Sequence, residues 1–210
     1  MNLARFFPLM VLSVFYCANV AVAGGLDSLQ HFMSDVRSYR AGFEQSVIAK
    51  NGRVAQTSKG QLAFSRPGKF RWEVEKPFPQ LMVGDARQVW LYDPDLQQAT
   101  HRKVDAALGS TPAALLAGNG SLGALDKVFA LKELPFREGL EWVEATPKNP
   151  ESGFVLIRLG FTGSQLKAME MLDSFGQVTR VVFVKPELNP ALSPEVFRFT
   201  PPAGVDVLSN

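Results

Sequence analysis

The chain has 210 residues, 46% hydrophobic and 20% charged, with a mean hydropathy of +0.02. These proportions exclude a disordered chain, a collagen-like repeat and a multi-span membrane protein. Formal charge is +2, from 22 Lys+Arg against 20 Asp+Glu, with no basic block and no acidic tail, so nucleic acid is not indicated as a partner.

The first segment has the organisation of a secretory signal. Arg5 supplies a positive charge, Phe6 to Val22 is apolar apart from Ser13 and Asn19, and Ala21-Val22-Ala23 offers an A-x-A cleavage site. Pro8 and Asn19 interrupt the run, which argues against a retained span of roughly 20 apolar residues. Val14, Phe15 and Tyr16 are too large for a lipidation box before Cys17. Cleavage after Ala23 leaves residues 24–210 as a single domain without its only cysteine. Its fold must then rest on packing alone, and export without cysteine indicates a bacterial periplasm.

Leu26, Leu29, Phe32, Met33 and Val36 recur at helical spacing, which predicts an amphipathic helix over Leu26 to Tyr39. The period then changes to two. Phe43, Gln45 and Val47 alternate with Glu44, Ser46 and Ile48 before an Asn51-Gly52 hairpin turn. Leu62 and Phe64 end the returning strand at Arg66-Pro67-Gly68. Phe70, Trp72 and Val74 then alternate with Arg71, Glu73 and Glu75. Leu81 to Val83 and Val89 to Tyr92 form a short pair, and Gln97 to Val104 adds a strand. Thr111-Pro112 starts a short helix carrying Leu115 and Leu116. Further strands are expected at Trp142 to Ala145, Phe154 to Phe161, Leu166 to Leu172, Val178 to Val184 and Val196 to Phe199, with a turn at Asp173-Ser174-Phe175-Gly176. Many short strands with hairpin signals predict an antiparallel sandwich or barrel.

The chain carries little that resembles catalytic machinery. Gly118-Asn119-Gly120-Ser121-Leu122-Gly123 matches G-x-G-x-x-G but follows a helix, so it reads as a flexible loop. No phosphate loop or G-x-S-x-G elbow occurs, and His31 and His101 stand alone. No enzyme activity, cofactor or metal is expected. What remains is a β architecture with 16 Phe and two amphipathic helices able to lie across an opening. Composition does not decide between a ligand cavity under those helices and a side-chain-filled core.

GQLAFSRPGKFRW (Gly60 to Trp72), VWLYDPDLQQAT (Val89 to Thr100), STPAALLAG (Ser110 to Gly118), MLDSFGQVTRVVF (Met171 to Phe183) and FRFTPPAGVDV (Phe197 to Val207) occur in order. Together they resemble the periplasmic outer-membrane lipoprotein carrier family, LolA. The resemblance implies a mainly β (α+β) fold: an open, incomplete antiparallel β-barrel with short α-helices as a lid over a hydrophobic cavity. It implies a monomer whose cargo is acylated lipoproteins, received from the inner-membrane release complex LolCDE and passed to the outer-membrane receptor LolB. It makes Arg66 the lid latch, since a guanidinium donates several hydrogen bonds at once. Met33, Leu116 and Val181 match lid contacts near that arginine, and Phe70 and Trp72 share its strand parity and point into the cavity. The alternative is a lipid- or lipoprotein-sensing domain on the same half-barrel.

Two departures carry expectations of their own. Asp85-Ala86 stands where the family usually has glycine, which predicts a different turn geometry there. The proline-rich stretch from Glu187 to Pro194 puts the last sheet pairing in doubt.

Overall fold

The computed structural model describes residues 24–103, 112–118, 120–149 and 152–209. The expected signal segment 1–23, the Thr111 cap, Val104 and Asn119 lie outside them. Helix α1 (Gly25–Asp35) leads into β1 (Ser38–Ile48), β2 (Val54–Ser65), β3 (Lys69–Lys76), β4 (Gln80–Asp85), β5 (Gln88–Asp93) and β6 (Gln98–Lys103). Two short helices follow, α2 (Pro112–Ala117) and α3 (Leu122–Val128). The chain then returns to strands: β7 (Phe129–Arg137), β8 (Leu140–Pro147), β9 (Phe154–Thr162), β10 (Gln165–Asp173) and β11 (Val178–Leu188). A 3-10 turn at Pro194–Phe197 precedes β12 (Asp206–Ser209).

All 12 strands join one sheet in the order β12-β6-β5-β4-β3-β2-β1-β11-β10-β9-β8-β7. Its two edges, β12 and β7, do not pair, so the sheet stays an incomplete barrel. Pairing is antiparallel throughout except at the edge, where β12 runs parallel to β6. Consecutive antiparallel pairing follows from the short turns. In the first hairpin Gly52 takes a φ of 80° and Asn51 Oδ1 accepts from Arg53 N at 3.1 Å. The sheet tightens where glycine lets neighbours approach: a Cβ on Gly60 would sit 1.8 Å from the Glu73 carbonyl oxygen.

Period-two alternation puts Tyr39, Phe43, Leu62, Phe64, Phe70, Ile157, Leu159, Phe161 and Val181 on the concave face, all buried. Helix α1 lays its apolar stripe, Leu29, Phe32 and Met33, across β8, β9 and β10, while α2 sits over β2 and β3. Each large side chain removed from water here contributes about 1.5–3 kcal/mol. The helices therefore close the open side of the sheet.

Several expectations need correction. The first helix ends at Asp35, not Tyr39, because Val36 turns to extended backbone and Tyr39 is taken by β1, where its ring stacks on Phe64 at 5.4 Å. Val196 to Phe199 is not a strand: Ser193 caps Glu195 N and Pro194 opens a 3-10 turn that buries Phe197. Gly118 to Gly123 is only partly loop, since Ser121 caps α3 by accepting from Ala124 N at 3.2 Å. Helix α3, β7 and β12 have no counterpart among the expected elements. At the Asp85-Ala86 turn Ala86 takes a left-handed conformation, with φ 74°. The Asp85 carboxylate supports it by accepting from Arg87 N at 2.8 Å and Gln88 N at 2.9 Å. The doubt about the last sheet pairing holds in part: β11 pairs with β1 as far as Tyr39↔Leu188 but across a register shift between Arg40 and Gly42, and the strand expected beyond the proline-rich stretch does not form.

Candidate functional site: a guanidinium between two helix ends

The β2–β3 hairpin turns through Arg66, Pro67 and Gly68, between paired Ser65 and Lys69. Arg66 continues the face of Leu62 and Phe64 just past the end of β2, and its side chain enters the space between α1 and α2. Its Nη1 donates to the carbonyls of Phe32 at 2.8 Å and Met33 at 3.1 Å, and to that of Val36. Nε and Nη2 donate to the Leu116 carbonyl at 3.1 and 2.9 Å, and Nη2 also meets Met33 Sδ at 3.3 Å. The last carbonyls of a helix lack partners within it and carry the negative end of its dipole. One cation thus serves the carboxyl ends of two helices at once.

The walls of the site are aromatic. The guanidinium carbon lies 4.8 Å from the Phe32 ring centre and 5.0 Å from that of Phe64, within cation–π range. Burial, and secondarily the neighbouring Arg37 guanidinium, pull the Arg66 pKa down to about 10, so the group stays cationic at neutral pH. Backbone bonds reinforce the same corner: Arg66 N donates to Arg37 O at 2.8 Å and Gly68 N to Ala117 O at 2.7 Å.

Of the residues singled out by sequence, Arg66, Met33 and Leu116 come together here through the bonds above. Phe70 and Trp72 lie one strand over, paired with Phe64 and Leu62 on the same face. Phe70 is buried, while Trp72 is half-buried with its ring 4.6 Å from Phe43. Val181 is not at the latch. It lies on β11 beside Gln45, far down β1 from the Ser38–Ser65 pair that marks the latch end.

Sequence reasoning missed Asn189. Its Nδ2 donates to the Asp35 carbonyl at 3.0 Å, and its Oδ1 accepts from Arg37 N at 2.7 Å and Ser38 N at 3.3 Å. It clasps the α1–β1 corner from outside while Arg66 holds it from inside. An asparagine before proline, here with φ 54°, is the local signal that marks such a position. Among the described residues no group of His, Cys, Asp or Glu is arranged to hold a metal ion.

An incomplete β-barrel with helices pinned across its open face by one arginine defines a class of lidded half-barrels. The chain belongs to the outer membrane lipoprotein carrier protein LolA family, whose profile matches residues 34–200. It is 54% identical over 191 residues to an outer-membrane lipoprotein carrier protein of Dechloromonas aromatica, covering 91% of this chain and 90% of that one. A protein of the same name from Nitrosospira multiformis is 52% identical over 189 residues, covering 90% of each. An uncharacterized conserved protein of Thermus thermophilus shares the fold at a TM-score of 0.53 and 15% identity, over 89% of this chain and 97% of that one.

Proposed function

We propose that the half-barrel is a periplasmic carrier that shields the acyl chains of lipoproteins released from the inner membrane and hands them to an outer-membrane receptor. The observation that carries this reading is the Arg66 guanidinium joining the ends of two helices over an aromatic, apolar sheet face. Burying acyl chains is worth about 0.8 kcal/mol per CH₂, so an acylated protein does not cross water unshielded. Phe32, Met33 and Leu116 press on the sheet when the helices are down. Chains reach that face only when the helices lift.

The latch suits reversibility. Its bonds run to neutral carbonyls, and hydrogen bonds of this kind contribute about 0.5–3 kcal/mol each after competition with water. Cargo that gains more than the latch gives holds the lid open, and its departure lets the lid close. In this reading Arg66 is the latch, Met33 and Leu116 its lid contacts, Phe70 and Trp72 the wall, and Val181 part of the floor. The chain acts as a monomer without catalysis, residues 24–210 forming one domain after loss of signal 1–23. The LolCDE complex supplies the energy for loading and LolB receives the cargo.

Arg66→Leu tests the reading. Without the guanidinium the closed state loses its bonds and the cargo-bound state gains on it. The variant is expected to accept a lipoprotein from inner-membrane spheroplasts yet pass it to the receptor at least tenfold more slowly, about 1.4 kcal/mol of altered balance. Transfer at the wild-type rate contradicts the reading.

A further inference from the structure

Across the concave face polarity changes from the latch end to the far rim. Tyr39, Phe64 and Phe70 are cross-strand neighbours, and Ala41, Leu62 and Trp72 form the next row. Phe43, Gly60 and Val74 follow. Beyond them Gln45 faces Ser58, Val47 faces Gln56, and Gln80 pairs with Val74. Gln45, Gln56, Ser58 and Gln80 line one open cavity of about 400 Å³, with Phe78 and Leu96 at its lip. Both lip side chains are strongly exposed, Phe78 at 61% and Leu96 at 70%.

The polar groups at this end are available to a ligand. The side chains of Gln45, Gln56 and Ser58 make no hydrogen bond to another described residue and keep their polar atoms open to solvent, since no buried side-chain nitrogen or oxygen among the described residues lacks a partner. Gln80 is oriented by its Nε2, which donates to Asp93 Oδ2 at 3.1 Å, and the same carboxylate shapes the lip by accepting from Leu96 N at 3.1 Å. Uncharged donors and acceptors without partners, continuous with an apolar face, match the polar end of an amphiphile.

We propose that this end of the concave face is a subsite for the head of the cargo's acylated cysteine, and that the polypeptide leaves over the Phe78–Leu96 lip. The inference rests on the carrier reading. Glyceryl ester carbonyls accept from a glutamine Nε2 or the Ser58 hydroxyl, and the first peptide N–H groups find acceptors in glutamine Oε1. Hydrocarbon laid over the same amides would strand them, so the acyl chains stop where the polar rows begin. The cavity lining carries Asp93 and Asp95 and no cation, which disfavours a phosphate head group.

The test compares the full mature chain with the double variant Gln45→Leu/Gln56→Leu. Two probes are titrated: a synthetic peptide with an amino-terminal dipalmitoyl-glyceryl cysteine, and an apolar naphthyl dye without carbonyl groups. A short-chain phosphatidylglycerol competes against each. The double variant is expected to bind the lipopeptide about tenfold more weakly and the dye equally well. Phosphatidylglycerol is expected to displace lipopeptide poorly from the wild type. Undiminished lipopeptide binding by the variant overturns the subsite and leaves the carrier reading standing. Equal loss of both probes assigns the glutamines to the fold and also overturns it, as does phosphatidylglycerol competing as well as lipopeptide. A wild type that takes the dye but no lipopeptide overturns the carrier reading itself.

Discussion

At the latch end each nitrogen of the Arg66 guanidinium meets acceptors from helix termini, whereas at the far rim Gln45, Gln56 and Ser58 face an open cavity without a described partner. Both ends belong to the same few strands, β1 to β3, and differ in what covers them. The latch end is roofed by α1 and α2, so any polar group there must be satisfied internally. The far rim is open to water, which tolerates unpaired amides. One end is therefore built to hold the protein's own elements, and the other has its bonding capacity to spare.

The contrast has consequences for stability. Phe32 lies beneath the latch and touches Tyr39, Phe64 and Phe161 at ring separations of 6.2, 6.0 and 5.5 Å. Phe32→Ala is expected to cost about 3–5 kcal/mol in urea unfolding. Gln45→Leu at the far rim should stay within about 0.5 kcal/mol of wild type in the same experiment. Similar losses at the two sites would erase the distinction.

Asn189 sharpens the latch end further. Asn189→Gly keeps the left-handed backbone and deletes the clasp on the α1–β1 corner. It is expected to lower stability by about 1–2 kcal/mol and to raise amide exchange in the last turn of α1. Unchanged exchange there would show that Arg66 holds the corner alone. A smaller effect, of opposite sign, is expected at the β4–β5 turn. Ala86→Gly relieves a left-handed alanine, and thermal unfolding should show a gain of about 0.5–1 kcal/mol. A loss would mean that the entropy of glycine in the unfolded chain outweighs the strain.

Much of this is legible in sequence because alternation names the face on which a residue lies. Parity alone places Phe70 and Trp72 on the concave side, and the resemblance picks out Arg66. Alternation does not say which residue stands opposite which. Gln45, Ser58 and Gln56 each read as isolated polar positions, and only the register of β1 with β2 lines them up. Val181 is misplaced for the same reason: its face is readable, its distance along the sheet from Arg66 is not. The 3-10 turn at Pro194–Phe197 has a visible Ser193-Pro194 start, but Val196, Phe197 and Phe199 read as a strand because a four-residue element is too short to show its period. β12 pairs parallel with β6, an arrangement that needs a long return and leaves no hairpin signal.

If Arg66 holds the lid shut, its loss must free α1 to move away from the sheet. Spin labels at exposed Ser34 on α1 and exposed Val182 on the outer face of β11 report that directly as a distance distribution. With Arg66 intact and no cargo, a single narrow distribution is expected. Arg66→Leu should broaden it and shift it to longer distances. If Arg66→Leu leaves the distribution unchanged, the latch is held by packing alone, and the account of the arginine is wrong.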